Sequence, residues 1–150
     1  MKVNFFLILS IFLGSNVYSQ SVDSTYYQYI KGILYENSSY NIIDVIPKTE
    51  MQYSFFFLND DLSGNRFSEL KQNVYEHCVQ TNDTLYVEYF LLIGEYADGY
   101  VADVYLGWLE RAYVENPLVK EVLCTRIKRK NAYVFKRLSY LLDDIKKEDE

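Results

Sequence analysis

Between residues 95 and 117 the chain reads EYADGYVADVYLGWLERAYVENP, which sets Glu95, Asp98, Asp103, Glu110 and Glu115 among bulky aromatics. Such acids could hold a metal ion or serve a glycosidase, where two carboxyl groups about 5 to 9 Å apart flank the scissile bond. Spacing argues against both. On a helix Asp103 and Glu110 share a face but lie two turns apart, ~10.5 Å along the axis, which is long for a catalytic pair. Glu95 and Asp98 are i, i+3 neighbours, but Asp98 before Gly99 is more simply a helix cap. The acids are therefore expected on the wet side of a helical hairpin, and no catalytic residue is assigned.

The remaining chemistry-bearing residues are sparse. NDDLSGNRFSEL matches a calcium loop at Asn59, Asp61, Ser63 and Gly64, yet its twelfth position is Leu70 and Glu69 is one residue out. The bidentate glutamate is missing, so a connecting loop is expected and no metal site is assigned. His77 is the sole histidine. It and Cys78 point about 100° apart on a helix, so they form no nucleophile–base pair. Zinc prefers more nitrogen and sulfur than one histidine offers, and a half-buried helix histidine is expected. No serine sits in a glycine-flanked elbow. Asn37 and Asn82 match the glycosylation pattern, and no role is assigned to them. Arg126, Lys128, Arg129, Lys130, Lys136 and Arg137 are the one basic concentration and a possible interaction patch, although a helix C-terminus also attracts positive charge.

These residues need a frame, and the first part of it is a leader. Lys2, the apolar VNFFLILSIFLG and the small residues Val17 and Ser19 read as a signal peptide over residues 1–19, with the mature chain starting at Gln20. The stretch is short for a membrane span, and no later run approaches the ~20 apolar residues that one needs. No cysteine lies near the cut, which disfavours a lipid anchor. A periplasmic or secreted protein is expected, with no membrane span after cleavage. Cys78 and Cys124, the two cysteines, would then meet an oxidising compartment. A disulfide between them, stabilising by about 4 kcal/mol in the chain-entropy account, is expected; two buried thiols are the alternative.

What remains is one domain's worth of chain, able to bury a real core. The net charge of −6 falls by one more when Lys2 is removed. It repels nucleic acid and anionic lipid, so a partner met through net charge should be basic. Sixteen tyrosines and nine phenylalanines suit a core and half-buried surface built with aromatics. A sticky recognition face or a sugar platform is the other use for them.

Helical periodicity runs through residues 20–150. Tyr26, Tyr29, Ile30, Ile33 and Leu34 share one face, and NIIDVIP closes a short turn at Pro47. Thr49 with Gln52 is a capping box for a helix facing Tyr53, Phe56 and Phe57 inward. Phe67, Leu70, Val74, His77 and Cys78 make the next face. Asp83 caps a segment, Thr84 to Ala97, that is apolar nearly all round and so central; Leu85, Tyr89, Leu92, Ile93 and Tyr96 form one of its faces. Val101, Val104, Tyr105, Trp108, Leu109 and Ala112 restart the pattern after Gly99, with Trp108 expected inside. Asn116 caps and Pro117 opens a helix faced by Leu118, Val119, Val122, Leu123 and Ile127. Asn131 opens a last one faced by Val134, Leu138, Leu141, Leu142 and Ile145, before a disordered charged tail at about 146–150. The expected fold is all-α, six to eight helices in antiparallel hairpins, packed as a bundle or a short HEAT-like solenoid.

VIPKTEMQYSFFFL, LLIGEYADGYVADVY and ENPLVKEVLC, with the YSQ cleavage region, resemble uncharacterised small secreted helical proteins of the Bacteroidetes. The resemblance implies a HEAT-like hairpin fold in a periplasmic or secreted protein and carries over no catalytic residue and no cofactor. Two functions follow as expectations. The first is an exported non-enzymatic protein that binds a protein or other cell-envelope macromolecule as an accessory, inhibitor or immunity-type factor. The second is a small hydrolase of glycan or cell-wall material working through Glu95, Asp103 or Glu110.

Overall fold

The computed structural model describes residues 24–36, 38–58 and 64–148. The leader expected over residues 1–19 and the loop positions Asn59, Asp61 and Ser63 lie outside them. The chain divides into two compact units, Met1–Ser39 and Tyr40–Glu150. In the first unit, α1 covers residues 24–36. Tyr26, Ile30, Ile33 and Leu34 recur on it at i, i+4, i+7 and i+8, and all four are buried.

The second unit is all-α among the described residues. Its helices are α2 (Ile42–Val45), α3 (Glu50–Leu58), α4 (Asn65–Gln80), α5 (Thr84–Leu92), α6 (Gly99–Glu115), α7 (Pro117–Val122), α8 (Lys128–Lys130) and α9 (Ala132–Glu148). A 3₁₀ turn, Ile93–Glu95, follows α5, and a π turn, Leu123–Ile127, joins α7 to α8 without a break. The starts are set by side chains that satisfy the free N–H groups of a first turn. Thr49 Oγ1 accepts from Gln52 N at 3.2 Å, and Gln52 Oε1 accepts from Lys48 N at 2.8 Å. Asp83 accepts from Leu85 N and Tyr86 N. Asn116 accepts from Leu118 N and Asn131 from Val134 N. Asp98 departs from expectation: it occupies the cap position of α6, but its side chain makes no capping bond. Gly99 after it has φ +52°, a left-handed conformation that L side chains resist.

Helix α5 is central, packing against α4, α7 and the π turn. Tyr86, Val87, Glu88, Phe90 and Leu91 are buried on it, whereas Leu85, expected inside, is exposed. The α-helix also ends at Leu92 rather than reaching Ala97. Helix α4 lies along α6, and α9 packs on the 3₁₀ turn, the π turn and α8. Val134, Leu138 and Leu142 form the buried side of α9. That helix runs on through residues 146–148, into the stretch expected to be a disordered tail.

The tyrosines explain themselves as apolar bodies with a polar tip. Tyr86 Oη donates to the Val74 carbonyl at 2.6 Å, tying α5 to α4. Tyr105 Oη donates to the carbonyls of Phe90 (3.2 Å) and Leu91 (3.3 Å), where α5 loosens into the 3₁₀ turn. Burial pushes both phenols far above their ordinary range, so both remain donors.

On α6 the buried stripe is Tyr105, Leu109 and Ala112, narrower than expected. Val104 is exposed. Trp108 is half-buried, stacked parallel on the Tyr75 ring at 5.5 Å, with the Arg111 guanidinium 5.5 Å from its own ring. Trp108→Ala is expected to cost about 2 kcal/mol in urea unfolding, through lost stacking and area. Asp103→Ala should stay within about 0.5 kcal/mol of wild type. Equal effects would place the stripe wrongly.

Candidate functional site

The acids of residues 95–117 do not converge. Glu95 is exposed and accepts from Asn131 Nδ2 at 3.1 Å. Asp98 and Asp103 are exposed, and Glu110 is half-buried. Glu115 pairs with Arg111 at 2.9 Å on the α6 surface, a contact of a few tenths of a kcal/mol. Among the described residues no group of three or more His, Cys, Asp or Glu side chains could hold a metal ion. His77 is half-buried, as expected, and stands edge-on to Tyr86 with centroids 4.5 Å apart.

The expected Cys78–Cys124 disulfide is not formed, since both thiols are free. Cys78 is buried on the inner face of α4, while Cys124 is exposed on the π turn. Burial also pushes the Cys78 thiol well above its ordinary range, which removes the reactive thiolate. A thiol reagent should therefore modify Cys124 alone in the native protein, and Cys78 only in denaturant. Mass spectrometry finding no free thiol in denatured, unreduced protein would restore the disulfide.

The carboxylate that matters structurally is one outside the acidic stretch. Glu88 is buried on α5, with Lys130 Nζ at 2.5 Å from Oε1 and Arg126 Nη1 at 3.2 Å from Oε2. Its pKa is set by opposing effects: burial raises it, but hydrogen bonds and charge from Lys130 and Arg126 prevail and hold it below the ordinary carboxylate value of 4.5. The π turn and α8 carry the two cations, so Glu88 anchors that run to the central helix. The signal in the sequence was a lone acid in an otherwise apolar helix together with two cations at i, i+4 spacing.

Asn116 is a second buried polar residue whose full role was not foreseen. Besides capping α7, its Nδ2 donates to the carbonyls of Cys78 at 2.8 Å and Thr81 at 2.9 Å. One side chain thus joins the end of α4 to the α6–α7 corner.

The basic patch is divided by these contacts. Arg126 and Lys130 are committed to Glu88, and Arg137 donates to the Ala97 carbonyl. Lys128 lies 5.3 Å from the Phe135 ring. Lys128, Arg129 and Lys136 are exposed. Lys136 lies between Tyr133 and Tyr140, which are 62% and 69% exposed. At i, i+3 and i+7 the three share a face of α9, opposite the buried Val134, Leu138 and Leu142. Against the middle of that helix, Gly94, Ala97, Tyr105 and Arg137 line a cavity of about 10 Å³, room for one water at most.

No helix among the described residues is long and apolar enough to cross a membrane. No protein family, curated protein or solved structure matches the chain.

Proposed function

We propose that this chain is an exported, non-enzymatic helical protein that binds another macromolecule of the cell envelope, as an accessory, inhibitor or immunity-type factor. The observation that carries the reading is the outward face of α9, where Tyr133 and Tyr140 stand exposed around Lys136. Tyrosines bring large contact area at small entropic cost, and they are enriched where proteins meet. Exposing two of them on one face while Tyr86 and Tyr105 are buried and hydrogen-bonded marks a surface built for contact. The resemblance to secreted helical proteins of the Bacteroidetes and the leader-like residues 1–19 support export. The test is recovery from producing cells of tagged wild type beside a Tyr133→Ser/Tyr140→Ser variant of equal stability. A macromolecule enriched with wild type and lost with the variant is expected. Equal recovery with both, or none with wild type, would sink the reading.

A further inference from the structure

Resting on that reading, we infer that the α9 face, with Lys128 and Arg129 at the corner before it, docks a protein surface rich in carboxylates. The argument is charge complementarity on a prepared surface. The chain as a whole is acidic, at −6, yet Lys128, Arg129 and Lys136 are exposed on α8 and the first turns of α9. Their basic neighbours are engaged elsewhere: Glu88 offsets one of the two charges of Arg126 and Lys130, and Arg137 donates to a main-chain carbonyl. Among the described residues, exposed Glu95 stands at the start of the helix, on Asn131, and exposed Asp143 toward its far end. Between those acids, Tyr133 and Tyr140 frame Lys136 about 10.5 Å apart along the helix.

The corner is also held in place before any partner arrives. Lys130 is anchored on Glu88, Asn131 bonds both Glu95 and the first turn of α9, and Val134, Leu138 and Leu142 pin the helix from behind. Such preorganisation lowers the entropic cost of binding. Three cations on an acidic chain are few for nucleic acid, whose affinity grows with the number of phosphates neutralised. A convex helix face offers no cleft for a sugar chain. Carboxylates on a protein surface match both features: charge for the cations, and flat contact for the tyrosines.

The probe is a fluorescent poly-glutamate peptide titrated into the purified protein at low salt, beside duplex DNA and heparin. Saturable poly-glutamate binding that weakens with salt is expected, falling about tenfold in Arg129→Glu/Lys136→Glu and measurably in Tyr133→Ser/Tyr140→Ser. Arg129→Gln/Lys136→Gln, a milder pair, should fall in between and guards against misfolding of the charge reversal. Absent binding, binding indifferent to these variants, or tighter binding of DNA or heparin through the same residues would overturn the inference. Its failure is separable from that of the proposed function: a glycan or nucleic acid recovered through α9 would end this inference alone, whereas an empty recovery would end the function reading.

Discussion

Replacing Arg126 and Lys130 together by methionine is expected to cost this protein about 4 kcal/mol at pH 7, measured by urea unfolding. Glu88→Gln, which removes the charge from the other side, should cost only about 1 kcal/mol. The asymmetry comes from burial. The Glu88 side chain is 5% exposed, against 44% for Arg126 and 52% for Lys130. Without Glu88 the two cations turn to water, so the pair itself contributes little. Without the cations a carboxylate stays in the core with nothing to offset its lost hydration. Adding Glu88→Leu to the double variant should therefore recover most of the loss, to within about 1 kcal/mol of wild type.

The same variants carry a pH signature. In the wild type the folded-state pKa of Glu88 lies below the ordinary 4.5. Its stabilising contribution is therefore present above that value and is lost as pH falls through the folded pKa. In the methionine variant burial alone acts, so the folded pKa lies above the ordinary value and stability is lost as pH rises. The gap between the two proteins should be wide at pH 7 and close toward pH 4. A gap that does not change with pH would mean that Glu88 is not the group responsible.

Asn116→Asp is expected to destabilise by about 3 kcal/mol at pH 7 despite nearly identical shape. The acceptor that caps α7 survives, but the amide that donates to Cys78 and Thr81 is replaced by an oxygen facing two carbonyls. Asn116→Ser, which keeps a short capping oxygen and removes the repulsion, should cost less, about 2 kcal/mol. If Asp and Ser proved equally mild, the link from α4 to the α6–α7 corner would not matter to stability.

Much of the fold was legible because it rests on local rules. Thr49, Asp83, Asn116 and Asn131 begin helices where capping chemistry says they should. The buried spacing of α1 and α9 follows the helical period. What was not legible depends on contacts distant in sequence. Trp108 has the spacing of a core residue, yet it is half-buried, stacked on Tyr75 of another helix. Arg126 and Lys130 look like ordinary charge at a helix end until Glu88, some forty residues earlier, is seen between them. Cys78 and Cys124 were expected to pair because composition names the partners without giving their directions. The acidic stretch drew attention by its density of charge, whereas the site proposed for function was visible only as part of a basic run.

In the proposed function, contact with a partner is made through α9 and not through the acids of α6. A photo-crosslinking amino acid placed at Tyr140, and separately at Asp103, tests that directly in cells that make the protein. Both positions are exposed, so either can report. Adducts to a macromolecule from Tyr140, and none from Asp103, are the predicted result. Adducts from Asp103 with none from Tyr140 would contradict it.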